Sequence, residues 1–167
     1  MLSYERASAS VDSRQGRAFD LIDVARDVVA RNSGKVSASG VILESALGDS
    51  PLSLHGEEVL LAEAVENLVD NALKHGGPSL SRIRVETGCD RDCVRLSISD
   101  DGRGIEMADR RRVFERFRQT TPGQGSGLGL SIVETVARSH GGTVDIEDVP
   151  VGTRITMRFP AGGPTSR

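Results

Sequence analysis

Glu63, Asn67, Asn71 and Lys74 fall at i, i+4, i+8 and i+11, one narrow line along a helix. The line borders an apolar stripe of Leu60, Leu61, Ala64, Val65, Leu68, Val69, Ala72 and Leu73. Asparagine is a mediocre helix former, and two of them beside a core are locally unfavourable. For one asparagine, a polar edge satisfied by backbone would suffice. Two in register with Glu63 and Lys74 favour a ligand. Amide oxygens are hard donors suited to Mg²⁺, an ion that takes few protein ligands and completes its shell with phosphates and water. Asn67 and Asn71 are therefore the candidate metal ligands, and Lys74 can meet phosphate oxygens as a point charge.

Two glycine-bearing segments supply complementary chemistry. Asp100 ends a strand-like run and opens Asp100–Ile105, where Gly102 and Gly104 let a planar ligand approach the backbone. A carboxylate only accepts hydrogen bonds, so Asp100 would take adenine's exocyclic amine and reject guanine's carbonyl. A plain type I turn would also explain this aspartate taken alone. Further on, Gly125-Ser126-Gly127-Leu128-Gly129-Leu130 runs into a helix whose free N–H groups suit phosphate. The spacing fits neither the dinucleotide fingerprint, whose third glycine would fall on Leu130, nor the P-loop.

The elements that must position these groups are legible in outline. A strand over 19–23 runs into a helix to about Arg31, ended by the Asn32-Ser33-Gly34 turn. A strand over 41–47 follows, then the asparagine helix over 57–75. Alternating runs at 82–87 and 94–100 predict a hairpin. A short helix is expected around 107–116, a second strong helix over 127–139 stopped by Gly141-Gly142, and a closing hairpin of 143–148 with 152–160. Strands with a few interspersed helices predict an α+β two-layer sandwich, a mixed sheet with helices on one face.

Composition narrows the function classes. With 167 residues, the chain fits one domain. A net charge of −3 argues against nucleic acid, and the arginines at 110–112, flanked by Asp109 and Glu115, read as a solvated helix face. No apolar run long enough to span a bilayer occurs, and no export signal is recognised, so a cytoplasmic location without membrane contact by this domain is expected. The full-length protein could still be anchored in the inner membrane. Cys89 and Cys93 flank a predicted turn, where a disulfide is conceivable but reduced thiols are expected.

Together these segments resemble the catalytic, ATP-binding domain of two-component sensor histidine kinases, in the superfamily shared with gyrase B and MutL. The resemblance covers about residues 18–160, leaving 1–17 as a linker or the end of a dimerisation hairpin and 161–167 as a tail. Asn67, Asn71, Lys74 and His75 resemble the family's N box, and Asp100, Gly102 and Gly104 its G1 box. Phe114 and Phe117 resemble its F box, Gly125 to Leu130 its G2 box, and Gly152-Thr153 the Gly-Thr of its last strand.

The resemblance implies ATP held between the N-box helix and a mobile lid at about 106–126. Asn71 would ligate Mg²⁺ with Asn67 nearby, Lys74 and His75 would lie along the phosphates, Asp100 would fix adenine, and the Thr153 hydroxyl would support that end. The segment Phe117-Arg118-Gln119 stands where the family often has Phe-Tyr-Arg, which displaces the usual lid arginine. In the ATPase branch a glutamate usually matches Asn67; an amide cannot take a proton, which favours kinase over hydrolase. His55, His75 and His140 are each followed by glycine, and none matches the family's phosphoacceptor pattern. The acceptor histidine is thus expected on a dimerisation domain outside the chain, with onward transfer to a response regulator aspartate. Alternatives are an ATP hydrolase of the gyrase or MutL kind, a serine kinase of the anti-sigma-factor type, or a nucleotide sensor without catalysis.

Overall fold

The computed structural model describes residues 16–115 and 129–161. In chain order the elements are β1 (Arg17–Asp20), α1 (Leu21–Ala38), β2 (Ile42–Ala46), β3 (Ser53–Gly56), α2 (Glu58–His75), β4 (Arg82–Cys89) and β5 (Cys93–Asp100). A 3₁₀ turn (Arg112–Phe114), α3 (Gly129–Ser139), β6 (Thr143–Glu147) and β7 (Thr153–Pro160) follow. A five-stranded sheet runs β2-β4-β5-β7-β6, parallel only between β2 and β4, and β1 pairs with β3 in a separate two-stranded ribbon.

Strand alternation builds the two layers. Val94, Leu96 and Ile98 of β5 stand opposite Phe159, Met157 and Ile155 of β7, all buried. The helices pack on this inner face, through Leu61, Val65, Leu68 and Val69 of α2 and Val133 and Val136 of α3. The outer face is polar. Arg154 pairs with Glu86 and Glu147, and Arg158 with Glu147 and Asp145, so charges ladder across β4, β7 and β6. Between them the buried Ser97 and Thr156 hydroxyls share a 2.9 Å hydrogen bond.

Four expectations are corrected. The first helix does not end at Asn32-Ser33-Gly34 but continues to Ala38. Asn32 is buried in line with Val28 and Val36, and its amide donates to the Val28 carbonyl at 2.8 Å, so the polar side chain is absorbed inside the helix. Gly40, at φ 73°, lies beyond the actual end. Where a helix is expected at 107–116, the described residues 107–115 instead form a series of turns with one 3₁₀ turn. Arg110 is not a solvated side chain there; it pairs with Asp148. Strand β3 was not anticipated, because four residues between Pro51 and α2 carry too little alternation to read.

Cys89 and Cys93 are free. Cys89 stands opposite Val94, and adjacent strand residues point to opposite faces, so the two thiols diverge. No described helix is long and apolar enough to cross a membrane.

Candidate nucleotide site

The site begins at the end of β5. Asp100 continues the inward phase of Val94, Leu96 and Ile98, and its register partner Thr153 opens the inward phase of β7. The alternation that builds the core therefore turns a carboxylate inward at the sheet's rim. Gly102 N–H donates to Asp100 Oδ1 at 2.9 Å. Burial pushes the Asp100 carboxyl above the usual carboxylate range; the N–H groups of Gly102 and Thr153 oppose that rise without cancelling it.

Its neighbour does structural duty. Asp101 Oδ1 accepts from the N–H groups of Ser81 at 2.8 Å and Arg82 at 2.9 Å, while Oδ2 accepts from the Ser81 hydroxyl at 2.5 Å. The Ser81 hydroxyl bond is the main cause that holds Asp101 below its ordinary value. Of two adjacent aspartates, one ties the turn to β4 and the other is left to face the interior.

The turn meets α2 backbone to backbone. Arg103 N–H donates to the Gly76 carbonyl at 2.8 Å, and a Cβ on Gly102 would lie 2.4 Å from that same oxygen. On the other side, Gly152 at φ 74° presses on Asp100: an added Cβ would sit 1.8 Å from the Asp100 carbonyl. Gly104 in turn approaches the Gly152 carbonyl, and half-buried Ile105 packs on the core. The Asp100 turn, the end of α2 and the start of β7 thus form one close-fitted junction.

Along α2, Glu63, Asn67 and Asn71 are half-buried and Lys74 is exposed, as a line bordering the core requires. The Asn67 amide nitrogen and His75 Nδ1 are buried with no hydrogen-bond partner among the described residues. Leaving a buried polar atom unpaired costs about 1–3 kcal/mol. Both atoms belong to residues that the sequence assigns to a ligand, and a bound polar molecule would satisfy them. Burial is the main cause that lowers the His75 pKa, and the charges of Arg103 and Lys74 lower it further, which favours the neutral ring.

Helix α3 begins at Gly129 and packs against α2 with Leu130, Val133 and Val136 buried. Leu130 is thus part of the core that the two helices share, and Gly129 heads its helix. Phe117, Arg118, Gly125, Ser126, Gly127 and Leu128 lie outside the described residues. Phe114 is half-buried against the core.

The donor set fits magnesium in kind, since the amide oxygens of Asn67 and Asn71 share one helix line. Sequence reasoning missed Asp101 as the fastener of the turn and His140 as a buried ring. Ser81, beside the hairpin, was the available hint for the first.

A family model for histidine kinase-, DNA gyrase B- and HSP90-like ATPases matches residues 56–163. The signal transduction histidine-protein kinase/phosphatase MprB of Mycobacterium sp. (strain KMS) is 37% identical over 158 residues, which is 89% of this chain and 30% of that protein. This chain therefore spans about a third of that relative's length. The solved mycobacterial sensor histidine kinase MprB superposes with a TM-score of 0.75 at 32% identity, covering 89% of this chain and 99% of that one. Full-length ShkA in complex with AMPPNP superposes with a TM-score of 0.79 at 25% identity, covering 99% of this chain and 35% of that one. With its inward carboxylate, its asparagine line and a mixed sheet under three packed helices, the chain belongs to the histidine kinase-, DNA gyrase B- and HSP90-like ATPase family.

Proposed function

We propose that this domain binds Mg-ATP and donates the γ-phosphoryl group to a histidine on a dimerisation domain outside the chain, for onward transfer to a response regulator aspartate. The observation that carries the reading is Asp100, a carboxylate turned into the helix-facing layer. It would accept from adenine's exocyclic amine, a charge-assisted bond of about 1.5–3 kcal/mol. Thr153, opposite Asp100, would support the same end. Asn67 and Asn71 would hold magnesium, which when bound neutralises charge on the phosphoryl oxygens. Lys74 and His75 would flank the phosphates, and the start of α3 with the glycine loop before it would receive them. AMPPNP bound to the similar protein ShkA supports a nucleotide in this fold.

The domain's contribution is positioning and charge neutralisation. The amide at Asn67 offers no base for water, which supports a kinase over the hydrolytic reading. Isothermal titration of Asn71→Ala should show Mg-dependent ATP affinity lost; unchanged affinity would remove Asn71 from the site. Labelled ATP, this domain and the dimerisation domain of its own full-length protein should yield phosphohistidine. Steady phosphate release by this domain alone would favour the hydrolase instead.

A further inference from the structure

The asparagine helix starts without a cap of its own. Glu57 occupies the N-cap position, yet its side chain makes no capping bond, and free N–H groups at a helix start need a partner. That partner comes from 83 residues away: Glu57 N–H donates to His140 Nε2 at 3.0 Å. A ring that accepts at Nε2 carries its proton on Nδ1, and Nδ1 lies 2.8 Å from the Val136 carbonyl, placed to donate. Both ring nitrogens are thereby committed.

The ring is held from every side. His140 is only 6% exposed, and it meets Phe19 and Phe159 edge-on at centroid distances of 6.1 and 6.3 Å. A Cβ on Gly56 would lie 2.3 Å from ring Cδ2, so the residue before the cap has no side chain because the imidazole occupies that space. His140 immediately follows the last residue of α3, and Glu57 immediately precedes the first residue of α2.

We propose that His140 is a positioning residue for the nucleotide site: as a neutral, Nδ1-protonated imidazole it locks the start of α2 to the end of α3 and so sets the register of Asn67 and Asn71 against Gly129. The inference rests on the nucleotide reading above. Asn71 lies about 21 Å along α2 from the pinned end, and Gly129 about 16 Å back along α3, at 1.5 Å per residue. A small axial slip at the pin moves one phosphate-facing group against the other by the same amount, because packed helices transmit displacement rigidly.

The test compares Mg-ATP affinity with stability. His140→Phe keeps an aromatic ring but removes the acceptor; Val85→Ala, in the core of β4, lowers stability without touching the pin. Titrations well below each unfolding midpoint should show affinity weakened tenfold or more in H140F and unchanged in V85A. His140→Gln, whose amide oxygen can accept from Glu57 N–H, should recover most of the loss. Nitrogen-detected NMR of the wild-type ring should report the neutral Nδ1–H tautomer. Equal affinities in H140F and V85A, or a charged or Nε2-protonated ring, would overturn the proposal. If H140F does not fold, H140Q and the wild-type NMR spectrum still decide it. Should the wild type bind no Mg-ATP at all, the functional reading fails, a result distinct from a misplaced pin.

Discussion

Asp100 and Thr153 face each other across the antiparallel pair of β5 and β7, both in the inward phase of their strands, at the rim where the sheet meets the end of α2. A carboxylate in that position costs stability, and the proposed adenine contact would account for it.

Asp100→Asn should therefore separate stability from binding. Burial raises the folded pKa, so this group's stabilising share is fully present below the ordinary carboxylate value and is lost as pH rises through the folded one. At neutral pH the ionised side chain burdens the empty domain. The variant should unfold at a higher temperature in thermal scans, while calorimetry shows ATP affinity reduced by about 10- to 100-fold.

His75 predicts the opposite slope with pH. Its folded pKa is lowered, first by burial and then by Arg103 and Lys74. Its stabilising share is present above 6.5 and lost as pH falls through the folded value. Urea midpoints measured from pH 7.5 down to pH 5 should drop less steeply in His75→Gln than in the wild type. Equal slopes would mean that the ring does not titrate differently on folding.

Gly152→Ala should damage the adenine end from behind. The residue sits at φ 74° and a Cβ would collide with the Asp100 carbonyl, a backbone atom that cannot swing aside. Strain of this kind costs about 1–3 kcal/mol. Chemical denaturation should show a loss at the upper end of that range, with ATP binding weakened in the protein that remains folded.

The buried hydroxyl pair on the outer face gives an asymmetric prediction. Thr156 hydrogen-bonds Ser97, and against the opposing effect of burial its hydroxyl helps hold the Glu147 carboxyl below its ordinary value; Thr156→Val removes both effects, whereas Ser97→Ala removes only the first. Thr156→Val should cost about 1–3 kcal/mol and Ser97→Ala less. In a double-mutant cycle the two losses should sum to more than the loss in the double variant.

Much of the site was legible because it follows local periodicity. The asparagines border the apolar stripe at helical spacing, and Asp100 keeps the two-residue phase of Val94, Leu96 and Ile98. Where the reading failed, a distant partner had overruled a local signal. Asn32-Ser33-Gly34 looks like a turn until burial of Val36 against the core carries the helix onward. Strand β3 exists because β1 pairs with it, not because its four residues alternate strongly.

By itself the sequence determined which face of each strand and helix is apolar, and hence that amides and a carboxylate lie at the edge of one core, since hydrophobic phase is written in residues near one another. Only the tertiary structure decided which aspartate of the pair is spent on Ser81 and Arg82, and that His140 caps a helix 83 residues distant. Those outcomes depend on hydrogen bonds between segments remote in the chain, and such bonds acquire a partner only once the layers have closed.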